Sequence, residues 1–519
     1  MGIFFNPGNG SFTKDRNYEI YVDKTELLKY LNRAIGTPGN CIAVSHARRF
    51  GKSHAAGMID AYYSLGSDSA KLFKGTKIAS DPDYEKYRNK YNVIHLDISS
   101  FWDFHKKDIV EKIIEDIFKE LKMDYPEEFN ERDRISYVLM KIYKKTGIPF
   151  VIIIDEWDCV VRNSTDQDLI HQYLQFLHSL FKSEESKSFL ALGYITGIMP
   201  IKKIKDESAL NNFEEYTMLK SRLITKYYGF TEEEVKDLCK RYDMDFETTK
   251  EWYNGYLIDG MHMYNPNSVS QAMKYHDFDS YWRNTSAFGT INNFIMMNYS
   301  GLKEDVLTML SGGKVMVDTE CFQNDLAEIH SKDDALTALI HLGYLGYDAD
   351  MLSAYIPNYE VAKAFQSALK TGEWKDVAAS ISKCDTLLMA TISGNTEKVA
   401  ELIELAHDTY TSILKYNDEN SLSCVLTMAY FTAPAYYTII REMPAGKGFA
   451  DFVFLPRANA GNRPAMIVEL KYNQSADTVI RQIKEKRYQG ALSGYESKIL
   501  LVGISYDSEK HHTCSIEEW

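Results

Sequence analysis

Cysteine is scarce and scattered: seven residues, at positions 41, 159, 239, 321, 384, 424 and 514, with no CxxC and no Cys/His cluster. That pattern excludes a disulfide framework and a zinc site, and predicts reduced thiols in a cytoplasmic protein. Long hydrophobic runs are missing as well. The most apolar stretch, Phe150 to Ile154, breaks off within a few residues, so neither a membrane-spanning helix nor a membrane partner is expected. The opening MGIFFNPGNGSF lacks the basic, apolar and small-residue order of a signal peptide, and Asn6 breaks the myristoylation pattern. Proline is sparse, at 12 residues, and no repeat or low-complexity linker interrupts the chain. Basic side chains are outnumbered 59 to 73, a net charge of −14, which argues against a chain coated for nucleic acid. What is present is ordinary globular material, 45% hydrophobic and 25% charged, over 519 residues. It can fill three or four domains with buried cores.

The first 230 residues alternate helical and strand-like runs. Helices are expected over Asp23 to Leu31, Ser53 to Leu65, Lys107 to Leu121, Arg134 to Thr146 and Asp168 to Phe181. Strands are expected at CIAVSH, VIHLDI, FVIIIDE and FLALGYIT. Strands separated by helices of this length indicate βαβ units and a parallel sheet. From 231 to 300 the chain turns helical. From 301 to 395 a polar hairpin, MLSAYIPN, lies between helices, a winged-helix-like order. The remainder, 396–519, reads as helix (Val399 to Tyr416), helix (Ser421 to Phe431), strand pair (Ala450 to Lys471), helix (Ala476 to Leu492) and strand (Lys498 to Ile504).

Two chemical patterns stand out. RRFGKS, Arg48 to Ser53, follows a strand and opens a helix, the setting in which backbone N–H groups cradle phosphate. Gly51 permits close approach, Lys52 reaches the β- and γ-phosphates, and the Ser53 hydroxyl ligates magnesium. The full pattern asks for a further glycine where His46 stands. About 100 residues on, VIIIDEWD sets Asp155 and Glu156 after a buried strand. In a parallel sheet that strand end shares an edge with the phosphate loop. Asp155 would hold the magnesium shell and Glu156 would polarise water; two solvated acids at a strand end is the plainer alternative. Thr196, at the end of LGYIT, is placed to sense a γ-phosphate or simply to lead into a glycine turn. Arg48 and Arg49 are either phosphate contacts or surface charges, and Arg222 is a surface arginine before it is an arginine finger. Trp252, Tyr253 and Tyr256 in WYNGY suit packing more than base stacking.

The second pattern is GFADFVFLPRANAGNRPAMIVELKYN. Asp451 starts one strand of a hairpin, and the next strand delivers Glu469 and Lys471, two apart and therefore on one face. Two carboxylates and a lysine so placed can hold magnesium and stabilise a pentavalent phosphate. The following helix presents Gln482 and Lys486 on one side. Glu419 completes the acidic cluster or caps a helix.

In these blocks the sequence resembles a bacterial family of AAA-ATPase-like proteins with a C-terminal PD-(D/E)XK nuclease domain. The resemblance runs through YVDKTELLKYL, RRFGKS, VIIIDEWD, YITGIMPIKKI, SALNNF, GFTEEEV, WYNGY, YNPNSV, YWRNTS, GFADFVF, VELK and RQIKEKRY. It departs at His46–Ala47, where arginine and proline are usual. The resemblance implies an α/β multidomain protein. A P-loop AAA-like ATPase domain spans 1–230 (parallel sheet, helices on both faces), a helical lid 231–300, a small winged-helix-like domain 301–395, and a restriction-endonuclease-like α/β domain 396–519. It further implies ATP and Mg2+ as cofactors. Arg49, Gly51, Lys52, Ser53, Asp155 and Thr196 would bind nucleotide, with Ser53 and Asp155 on its metal and Glu156 as the catalytic carboxylate that polarises water. Asp451, Glu469, Lys471 and Gln482 would be catalytic at the second site, with Asp451 and Glu469 holding its metal.

The expected function is an ATP-regulated, magnesium-dependent phosphodiesterase acting on nucleic acid, DNA in the first instance, with homo-oligomerisation as an open option. The alternative is a nucleotide-switched interaction protein whose nuclease-like domain only binds. Residues 445–500 carry nine basic against five acidic side chains, so the local charge permits phosphate contact where the global charge does not.

Overall fold

The computed structural model describes every residue except 1, 130–132, 202–209, 282–290, 292, 295–296, 298, 321, 323–328, 372–382, 415–424, 446–447, 458–461, 487–497 and 509–510. Glu419, Cys321, Cys424 and parts of the expected helices at 421–431 and 476–492 lie outside the described residues. The chain divides into two compact units, Met1–Tyr281 with Met316–Asn358, and Trp282–Val315 with Tyr359–Trp519.

In the first unit, five strands form one sheet: β1 (Cys41–Ser45), β2 (Asn92–Asp97), β3 (Phe150–Asp155), β4 (Leu190–Gly197) and β5 (Glu214–Thr217), in the order β2-β3-β4-β1-β5. All neighbours run parallel. The inner strands are apolar along almost their whole length because both faces are covered. Alternation separates the two faces cleanly. Ile152 and Ile154 of β3 pack in a cluster with helices Ile109–Asp124, Ile135–Thr146 and Gln167–Phe181, while Val151 and Ile153 pack in another with helices Glu26–Ala34 and Lys52–Tyr63. The sheet with helices on both faces is as expected.

The helix expected from Asp23 begins at Glu26, because the Asp23 carboxylate accepts the Thr25 N–H (2.9 Å) and keeps that turn outside it. Helices Glu232–Tyr242, Phe246–Tyr253 and Pro266–Tyr275 follow the sheet, together with a small antiparallel sheet of Phe230–Thr231, Met261–Tyr264 and Tyr256–Ile258. Trp252, Tyr253 and Tyr256 are buried among these elements, Tyr253 donating to Asp279 O (3.0 Å) and Tyr256 to Gly343 O (2.8 Å). The middle segment has its polar hairpin, Gly346–Asp348 with Ser353–Tyr355, between helices Lys332–Leu342 and Tyr359–Thr371. The compact-unit boundary falls just after that hairpin.

The second unit carries a mixed sheet in chain order: β6 (Tyr437–Ala445), β7 (Gly448–Pro456), β8 (Ala465–Tyr472), β9 (Ile499–Tyr506) and β10 (His512–Glu518). Only β8 and β9 are parallel, with helix Ala476–Glu485 between them in sequence. That helix lies close on the sheet: a Cβ at Gly503 would fall 2.7 Å from Ala476 O, so only glycine admits this approach. Ile480 and Ile483 of the helix pack with Val453, Ile467 and Leu501. The two outer strands were not legible in advance. Both are edges; β6 mixes Thr438, Arg441 and Glu442 with its apolar residues and contains Pro444, which an edge tolerates, while β10 is mostly polar.

Candidate functional sites

The loop expected to cradle phosphate leaves β1 at Ser45 and ends at Gly51, whose φ of 89° only glycine adopts without strain, before helix Lys52–Tyr63 begins. The helix start lies at the edge where β3 and β4 also end, since β1 pairs with β4 and β4 with β3 in parallel. Lys52 is 8% exposed, and its ammonium donates to His46 O (2.8 Å) and Ala47 O (2.9 Å). Burial brings its pKa down to about 8, against the opposing pull of Asp155, Asp158 and Glu156.

Asp155, 6% exposed, accepts the Thr196 hydroxyl and the Glu156 N–H (3.0 Å). The structure therefore brings Lys52, Asp155 and Thr196 to one sheet edge. Glu156 follows in a left-handed conformation, φ 52°. Burial raises its carboxyl above the usual range, and Arg162, 3.7 Å away, counters that. Ser53 is exposed on the first turn, and Arg49 donates to Tyr281 O (3.2 Å). Arg48 and Arg222 have exposed side chains.

The framework around this site escaped sequence reasoning. Asp158 is fully buried and accepts from Ile198 N (3.2 Å), Met199 N (3.0 Å) and Arg162 Nε (2.7 Å). It thereby ties the helix after β3 to the loop after β4. The i, i+4 spacing of Asp158 and Arg162 was the available signal. His46 has an equally definite place. It is not among the left-handed residues, so its backbone conformation does not call for glycine. Its imidazole is buried, bonded to Ser221 Oγ (2.5 Å) and packed on Tyr228 at 5.3 Å. Burial drives its pKa down to about 3, so the ring stays neutral.

In the second unit, the β7–β8 register pairs Phe452 with Val468 and, one step further, sets Asp451 beside Glu469. Asp451 N donates to Glu469 Oε2 (3.3 Å), and Leu470 N donates to Asp451 Oδ2 (2.8 Å). Lys471 Nζ lies 3.3 Å from Glu469 Oε1. Glu469 is 1% exposed, whereas Asp451 and Lys471 are half-buried. Burial raises the Glu469 carboxyl above its usual range, the Asp451 charge adds to this, and Lys471 partly offsets it. The neighbouring helix holds Gln482, which donates to Gln474 Oε1 (3.3 Å), while its own Oε1 is buried with no partner among the described residues.

Two neighbouring carboxylates, one of them desolvated, suit a hard divalent cation that takes one or two carboxylates and fills its shell with water and phosphate oxygens. No group of three or more acidic, His or Cys ligands gathers among the described residues, and such a cation does not require one.

The fold and these sites define a chain that pairs an ATPase-like module with a nuclease-like one. Residues 9–205 match the family described as predicted AAA-ATPase, and residues 417–519 match the PD-(D/E)XK nuclease superfamily. A curated relative, an uncharacterized protein in the vnfD 5′ region of Azotobacter chroococcum mcd 1, is 24% identical over 286 residues, 54% of this chain and 53% of that protein. The chain thus spans about half the length of this relative. Two solved structures are similar at low level. The Aeropyrum pernix ORC2 protein in ADPNP–ADP complexes has 10% identity and a TM-score of 0.33, covering 70% of this chain and 97% of that one. The replication initiator DnaA bound to AMPPCP and single-stranded DNA has 11% identity and a TM-score of 0.26, covering 72% and 93%. No helix among the described residues is long and apolar enough to cross a membrane.

Proposed function

We propose that the chain is an ATP-regulated phosphodiesterase that cuts nucleic acid, DNA in the first instance, at Asp451, Glu469 and Lys471. The observation that carries this reading is the hydrogen-bonded triplet itself, with the Glu469 carboxylate buried beside Asp451 and faced by Lys471. Asp451 and Glu469 would hold Mg2+, which supplies Lewis-acid stabilisation of the phosphate and an activated water. Lys471 would neutralise charge developing on the phosphate, and Gln482 would orient the nucleophile or the phosphate from the helix. In the first unit, Gly51, Lys52 and Ser53 would bind the ATP phosphates, with Arg49 beside them. Asp155 and Ser53 would hold the nucleotide's magnesium, Thr196 would report the γ-phosphate to Asp155, and Glu156 would polarise the attacking water.

A nuclease panel on single- and double-stranded DNA and RNA, with and without ATP, tests this on wild type, Lys52→Ala and Glu469→Ala. Cutting should require magnesium or manganese, vanish in Glu469→Ala, and lose its ATP response in Lys52→Ala. A wild-type protein that cuts none of these substrates under any condition sinks the reading.

The alternative, a nucleotide-switched binding protein, has one observation in its favour. The Lys52 ammonium is engaged by its own loop's carbonyls, which a nucleotide has to displace. Nucleic-acid affinity that changes with ATP, without any cutting, is its signature.

A further inference from the structure

Loop 46–51, expected to cradle phosphate, rests at both ends on the antiparallel hairpin Tyr256–Ile258 with Met261–Tyr264. At one end the Tyr256 ring meets the Phe50 ring edge-on, 5.1 Å between centroids at 89°, and both are buried. At the other, Asp259 in the hairpin turn accepts the Ser221 N–H (2.8 Å) and the Thr225 hydroxyl (2.9 Å). The Ser221 hydroxyl is in turn the partner of His46. The same hairpin also grips the 346–355 hairpin. Tyr256 Oη donates to Gly343 O (2.8 Å), and Asn358 Nδ2 donates to Asn254 O (2.8 Å). Tyr355 Oη donates to Gly255 O (2.9 Å) and accepts from Leu257 N (3.3 Å). At Gly255 the approach admits only glycine: its φ is 110°, and a Cβ there would fall 1.8 Å from Pro357 O.

Tyr256 is thus a shared member, its ring on the loop and its hydroxyl on the Gly343 carbonyl. The loop itself is held by Lys52, whose ammonium serves His46 O and Ala47 O. A polyphosphate competes for that ammonium. Carbonyls on two buried residues then lose a charged donor, and the cost of leaving them unpaired turns those peptides towards other partners. With His46 fixed on Ser221 and Phe50 on Tyr256, such a turn pulls on the hairpin at both ends. Close-packed contacts of this kind hold or let go rather than stretch.

We propose that the 256–264 hairpin is a latch. It ties loop 46–51 to the 346–355 hairpin while Lys52 serves the loop's own carbonyls, and a polyphosphate that draws the ammonium away releases it. The inference rests on the reading of this loop as an ATP site and names the route of its regulation. Release loosens the segment ending at Asn358, where the chain passes from the first unit into the second. Coupling is reciprocal, so a weakened latch binds ATP more tightly.

Hydrogen-exchange mass spectrometry on the full chain reads the latch, with ATP affinity measured in parallel by calorimetry. Saturating ATP with magnesium should speed exchange in 343–358 about threefold or more, the opposite of the slowing that a ligand ordinarily produces. Lys52→Ala removes the ammonium without any nucleotide and should loosen the same segment. It should leave helix Gln167–Phe181, on the other face of the main sheet, unchanged. Tyr256→Phe keeps the ring and deletes only the hydroxyl. It should loosen 343–358 without ATP and tighten ATP binding about two- to tenfold, the size of one neutral hydrogen bond. Tyr355→Phe should act in the same direction. ATP that binds while exchange in 343–358 slows or stays as it was overturns the latch and leaves the ATP site standing. Affinity weakened or unaltered in both tyrosine variants also overturns it. A wild type that binds no ATP, in which Lys52→Ala still loosens 343–358, supports the latch and removes the ATP reading; without that loosening both fall.

Discussion

The two candidate sites hold their key charges under opposite strain. In the first unit the buried cation Lys52 is pushed towards neutrality from above, to about 8. In the second the buried anion Glu469 is pushed towards neutrality from below. Desolvation is the leading cause in both, because either charge loses hydration when buried. The remedy differs in sign: a polyphosphate would restore the charged form of Lys52, and a divalent cation would restore that of Glu469. Under the proposed function, ligand binding would relieve a desolvation cost at each site. Their surroundings differ too. Lys52 sits above a buried framework of Asp155, Asp158 and Arg162, while Asp451, Lys471 and Gln482 are half-exposed around one buried glutamate.

The comparison breaks or sharpens under three substitutions. The largest effect belongs to the framework. Asp158→Ala strands the buried Arg162 and two loop N–H groups, and should cost the first unit about 3–5 kcal/mol in denaturant unfolding, with the second unit's transition unmoved. A loss below about 1 kcal/mol would show that the framework is not what holds this sheet edge together.

Next comes Lys52. Its folded pKa is lowered, so the ammonium is fully present well below about 8 and disappears as pH rises through that value. ATP affinity measured by calorimetry should fall up to about tenfold between pH 7 and 9, and the fall should vanish in Lys52→Ala. A flat profile in the wild type contradicts the burial argument.

The smallest effect is at Glu469. Its carboxyl is raised in the fold, so folding favours the protonated form. That contribution is complete below the unfolded value and is lost as pH rises through the folded one. Without metal at neutral pH, Glu469→Gln should therefore melt a few degrees higher than wild type. Magnesium should raise the wild-type midpoint and leave that of the variant unchanged. The reverse order of midpoints contradicts a strained glutamate.

Legibility followed locality. The strand–GKS–helix order, the DE pair after VIII, and Asp451 with ExK at hairpin spacing are short-range patterns, and periodicity alone placed them on elements. His46 illustrates the limit: as a letter in a phosphate loop it looked like damage, and only its packing against Ser221 and Tyr228, about 180 residues away in sequence, shows where the ring goes. Asp158 was visible in VIIIDEWD, yet nothing local distinguished it from a solvated acid. The edge strands β6 and β10 carried no clear strand signal, because β6 mixes charged and apolar residues without a period of two and β10 is mostly polar.

The sequence by itself determined which residues carry charge at two strand ends and that a parallel α/β module precedes a hairpin-based one. Side-chain period and turn chemistry act over a few residues, and no partner from elsewhere is needed to express them. Tertiary structure alone decided how much water each charge keeps, and with it the direction in which Lys52 and Glu469 are strained. It also decided that Asp158, Arg162 and His46 are structural members. Burial and register depend on what the rest of the chain brings across the sheet.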